Sequence, residues 1–140
     1  MPPSRPPYTY LDVAENMIGG VRVLANAAPL SELTLALAAA HTLECALKAY
    51  LSKSGDDERL KVQNVRHNLC LLWEMCVEED LAAISPTVPT WVTQLSEIHD
   101  SPYYLRYSTG IHAITTPEPE PMTAELEALL QTVRGQIGNP

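Results

Sequence analysis

The sequence predicts an all-α fold, an antiparallel bundle of four to five helices, on three observations. A run over 33–55 carries Leu33, Leu37, Ala40, Leu43, Leu47 and Leu51 three or four residues apart, the spacing of a buried helical stripe. Four further stretches repeat that period. The one strand-permissive stretch, YYLRYSTGIHAI, has no second strand to pair with and is expected as a packed irregular segment.

The elements follow in chain order. Residues 1–7 hold four prolines and are expected as an extended, mobile arm. From Tyr8 to about Ala27, Leu11, Ala14, Ile18, Val21 and Ala25 make an amphipathic helix, interrupted by Gly19-Gly20. Two adjacent glycines cost about 2 kcal/mol in a helix interior, so a kink or a close helix contact is expected there.

Pro29 ends that helix and Ser31 is placed to cap the next, the central one, with Gly55 as its stop, giving roughly 20 residues or about 30 Å. Its alanines 36 and 38–40 let a neighbouring backbone approach, which suits the centre of a bundle or a dimer seam. DDERLKVQNV is a polar connection with room for a short helical turn.

A third helix starts near His67 or Asn68, with Leu69, Leu72, Trp73 and Cys76 inward and Glu74, Glu78 and Glu79 toward solvent. ISPTVP closes it. Thr90 is placed to cap a fourth helix that turns Trp91, Leu95 and Ile98 to the core and stops at Asp100, Ser101 and Pro102. PEPEP reads as a linker to a C-terminal helix over 122–137, built on Leu126, Leu129, Leu130, Val133 and Ile137 with Glu125 and Glu127 in its first turn. Residues 8–140 make one domain.

Composition narrows the function classes. At 140 residues the chain buries a core without metals or disulfides. Cys45, Cys70 and Cys76 are odd in number, lie in apolar helical runs and form no C-x-x-C pair, so they read as inert core thiols in a reducing, cytoplasmic compartment. The N-terminus has no apolar leader core and no run spans a membrane. Seventeen acidic against nine basic side chains give a net charge of -8, which opposes charge-driven binding to bulk DNA or an anionic membrane. Five of those nine, Lys48, Lys53, Arg59, Lys61 and Arg66, fall within nineteen consecutive positions, the one positive stretch.

On the central helix, His41-x3-Cys45 would put two metal ligands on one face, but no second ligand pair accompanies it, so no metal and no cofactor is expected. Glu44 and Lys48 instead read as an i, i+4 ion pair, and His41 as hydrogen-bonded at a helix interface. Serine-hydrolase elbows and phosphate-binding glycine loops are absent. Arg66 and His67 stand at a helix start, where backbone N–H groups and two cationic side chains hold a phosphate. Further on, Arg106 and His112 lie five residues apart among Tyr103, Tyr104 and Tyr107. An arginine stabilises an oxyanion, a histidine exchanges a proton, and tyrosine faces stack bases or pack a guanidinium.

The helix ALAAAHTLECALKAYLSKSG, then RHNLCLLWEMC, then HDSPYYLRYSTG resemble, in that order, the HEPN-domain family over about residues 8–112. The resemblance implies a four- or five-helix bundle paired as a homodimer, with nucleotide, RNA or nucleotidyltransferase-type protein partners. It also implies a metal-independent endoribonuclease of the toxin or defence kind in members with an R-x(4-6)-H motif, matched here by Arg106 and His112. Those motifs carry a polar residue after the arginine, where this chain has Tyr107. The expected function is therefore a non-catalytic HEPN-like dimeric module that binds a nucleotide, RNA end or protein partner. Its ligand contacts are expected at Lys48, Arg66, His67, Tyr103, Tyr104 and Tyr107. The alternatives are a ribonuclease using Arg106 and His112, and a structural dimer without ligand.

Overall fold

The computed structural model describes residues 5–100 and 115–138. It is all-helical there: α1 (Tyr8–Ala25), α2 (Glu32–Leu51), a 3-10 turn (Glu58–Leu60), α3 (Leu69–Glu78), α4 (Thr90–Asp100) and α5 (Pro119–Ile137), with no strand among the described residues. α2 is the spine. It packs on α1, α3 and α4, as its stripe predicts, and on α5 as well. Leu43, Leu47, Leu72, Leu95, Leu126, Val21, Val92 and Val133 are wholly enclosed in one continuous core.

The described part of the N-terminal segment departs from the expected arm. Arg5 accepts a hydrogen bond from Thr9 N at 3.0 Å, and Pro7 is buried, so the chain turns directly into α1. α1 then runs without interruption through Gly19 and Gly20. A Cβ built at either glycine meets no heavy atom within 4 Å, so no close helix contact calls for them. The expected outcome of Gly20→Ala is therefore a gain of about 0.5–1 kcal/mol, with a similar gain at Gly19, read from urea unfolding midpoints.

α2 ends four residues before Gly55. The buried Ser52 hydroxyl turns back on the Lys48 carbonyl at 2.7 Å, and the Arg59 guanidinium donates to the terminal Leu51 carbonyl at 2.8 Å. Gly55 instead takes φ +99 in the turn beyond, a left-handed conformation that other residues resist. At the other end Ser31 bonds the Thr34 hydroxyl rather than a backbone amide.

The stripe also shifts. Leu33 and Leu37 are 39% and 36% exposed, whereas every residue from Thr42 to Ser52 is buried, so the helix is one-sided at its start and enclosed at its end. Ala36, Ala39 and Ala40 are buried within the chain, which assigns the small residues to the bundle centre rather than to a dimer seam.

α3 buries the expected Leu69, Leu72, Trp73 and Cys76, and its Asn68 cap accepts from Leu71 N at 3.1 Å. Glu79, expected in solvent, is tied down on both its carboxylate and its carbonyl. Arg59 grips the carboxylate at 2.7 and 3.0 Å, Lys53 lies 3.5 Å away, and Tyr50 OH donates to the Glu79 carbonyl. In α4, Thr90 is the first helical residue rather than the cap, and Val92 is enclosed while Trp91 is only partly so. PEPEP is no linker: α5 opens at Pro119, since prolines suit a first turn whose N–H groups have no helical acceptor. That start moves Glu125 and Glu127 out of the first turn and leaves Glu120 there.

Candidate functional site

A charge in the middle of Leu43-Glu44-Cys45-Ala46-Leu47 has to be buried, because that half of α2 is covered on all sides. Glu44 keeps only 7% of its side chain exposed, and its carboxylate is surrounded by donors from three parts of the chain. Lys48, one turn on, gives the expected ion pair at 3.2 Å to Oε2. His67, from the loop before α3, places Nδ1 at 2.8 Å from Oε1, and His99, near the end of α4, places Nε2 at 2.7 Å from the same oxygen.

Burial alone would raise the Glu44 carboxyl. The hydrogen bonds from His99 and His67 and the charge of Lys48 together outweigh it and hold the group down at about 2, firmly ionised. The rings of His67 and His99 meet edge to face with centroids 5.7 Å apart.

His41 joins from one turn before Glu44. It is exposed rather than set in a helix interface, with Nε2 3.9 Å from Cys45 Sγ and its ring centroid 6.4 Å from that of His99. Three of the four histidines in the sequence thus gather around one carboxylate. Donor atoms of His41, Glu44 and His99 lie within 4.8 Å of one another. Cys45 takes no ionic part, since burial and the adjacent Glu44 push its thiol up to about 11. The Lys48 ammonium also lies 5.9 Å from the centre of the Tyr10 ring, whose hydroxyl donates to Asp57 at 2.6 Å.

The expected site residues separate. Lys48 and His67 come together on Glu44, and Arg66 is exposed beside His67. Arg106, His112, Tyr103, Tyr104 and Tyr107 lie outside the described residues, as does the whole YYLRYSTGIHAI stretch. Neither Arg66 nor His67 stands in α3 itself, which starts at Leu69, and His67 is engaged by a carboxylate.

The positive stretch is largely neutralised: Lys48 pairs with Glu44, Lys53 and Arg59 with Glu79, and Lys61 with Asp57 and Glu58. A separate groove of about 200 Å³ lies between Trp73, Ile84, Trp91 and Leu129, away from the histidines. Sequence reasoning missed His99 and the reach of Glu44, whose partners stand 23 and 55 residues away. The usable signal was an acidic residue among apolar neighbours in the spine, Leu43-Glu44-Cys45-Ala46-Leu47.

With the geometry in place, comparison with protein-family models, curated proteins and solved structures finds no match. No described helix is long and apolar enough to cross a membrane.

Proposed function

We propose that the chain is a HEPN-like helical module that binds a phosphate-bearing ligand, a nucleotide or an RNA end, at the histidines around Glu44, and does so as a non-catalytic homodimer. The observation that supports this reading is the enclosed, ionised Glu44 carboxylate orienting two imidazoles beside an exposed arginine. A buried ionic network stabilises a fold less than apolar residues of the same volume would, so its presence in the spine favours a working role. His67 has Nδ1 committed to Glu44, and its side chain is 51% exposed, which leaves Nε2 and the neighbouring Arg66 to meet a phosphate. A net charge of -8 restricts such a ligand to a short one.

Thermal unfolding with ATP, GTP and short 5'- or 3'-phosphorylated RNA tests the reading. A ligand at 100 times its Kd adds about 2.7 kcal/mol, and Arg66→Ala with His67→Ala should remove that gain. No stabilisation by any of them would replace the binding module with a structural dimer. RNA cleavage in EDTA, lost in Arg106→Ala and in His112→Ala, would replace it with the ribonuclease.

Pairing is supported by Leu30, Leu33 and Leu37, which stand exposed at 38%, 39% and 36% at the start of α2 and just before it. Light scattering at micromolar concentration should give the dimer mass, and the double substitution Leu33→Glu, Leu37→Glu the monomer mass. A wild-type monomer would refute the pairing.

A further inference from the structure

We propose that His41, Glu44 and His99 bind a divalent first-row transition-metal ion of the zinc class. Two of the three donors sit on α2 at i, i+3, which places them on one helix face, and the third comes from α4 packed across it. Their donor atoms already lie within 4.8 Å of one another. Around a tetrahedral ion with bonds of about 2.1 Å, donors stand about 3.4 Å apart. His99 Nε2 and Glu44 Oε1, now 2.7 Å apart, must open slightly, while the exposed His41 closes in by rotation about its own side-chain bonds.

His67 and Lys48 fix the orientation of the Glu44 carboxylate from outside the donor set, the arrangement that tunes a bound ion. His99 must present a lone pair at Nε2, so the proton it shares with Glu44 either passes to Nδ1 or is released to solvent on binding. The exposure of His41 gives the ion a way in.

Two imidazoles and one carboxylate select zinc, cobalt or nickel over magnesium or calcium, which prefer an all-oxygen shell. Three protein ligands leave one position of a tetrahedral ion for water.

The inference is independent of whether a nucleotide binds, and its test needs only the full-length, EDTA-stripped protein and the metal alone. Co²⁺ titration should give one equivalent bound with the visible ligand-field bands of a four- or five-coordinate ion, and Zn²⁺ should displace it. His41→Ala and His99→Ala should each weaken Co²⁺ at least about 100-fold, because loss of an outer partner already costs about 10- to 100-fold, the smaller effect expected for His67→Ala. His41 is exposed, so its variant keeps the fold, and far-UV circular dichroism verifies this for both. Absence of ligand-field bands, equal affinity for Mg²⁺, or unchanged affinity in either alanine variant would overturn the assignment.

Discussion

Glu44→Ala should destabilise the protein by about 3–5 kcal/mol at neutral pH, a large effect for one side chain. The loss does not come from packing, since the carboxylate touches hydrogen-bond donors rather than filling a void. Removing it strands the Lys48 ammonium, of whose side chain 8% is exposed, and leaves His67 and His99 without the acceptor that fixes both rings. Glu44→Gln keeps the shape and one acceptor oxygen, so it should cost less.

The same carboxylate makes stability depend on pH in a definite direction. Folding holds it at about 2 against an ordinary 4.5, so the folded state binds its proton more weakly than the unfolded state. Its contribution is complete above pH 4.5 and disappears as pH falls through 2. With residual solvent screening allowed for, the amount lost across that window is about 2–3 kcal/mol. Urea unfolding of wild type and Glu44→Ala at a series of pH values reads it as a gap that narrows on acidification. A gap that stays constant from pH 7 to about pH 2 would show that the carboxylate is not held by these donors.

Period and composition located every described helix, because a 3.6-residue apolar repeat is a local property and α3 exposed its whole inward face, Leu69, Leu72, Trp73 and Cys76, to that reading. Boundaries failed where the deciding contact is distant or where a residue has two uses. Arg59 closes the α2 terminus from eight residues on, so Gly55 looked like the stop. Pro119 and Pro121 looked like linker because proline breaks helices in general and suits only their first turn.

The site was legible only in part. Glu44–Lys48 is a local pair and was read correctly, whereas His67 and His99 reach Glu44 only through the tertiary packing of α3 and α4 on α2. The positive stretch misled for the same reason, since Glu79, which takes up Lys53 and Arg59, lies at least twenty residues further along the chain.

Leu43→Ala should cost about 3–5 kcal/mol, whereas Leu37→Ala, six residues earlier on the same helix, should cost about 1 kcal/mol or less. In the sequence the two leucines are equivalent members of one stripe. In the fold Leu43 is 0% exposed and Leu37 36%. At Leu43 the lost methyl groups leave a cavity that the rigid surroundings fill only in part, so a cavity term adds to the transfer term. At Leu37 water enters the space and only part of the transfer term is lost.

The difference between the two variants therefore measures how completely α2 changes from a one-sided helix to an enclosed one within two turns. It bears on the site as well, because Leu43 adjoins Glu44, and only an enclosed stretch makes that carboxylate depend on its histidines. Urea unfolding of both variants at pH 7 gives the comparison directly. Equal costs would mean that α2 is not enclosed around Glu44, and the ionic network would then be an ordinary surface cluster of little energetic weight.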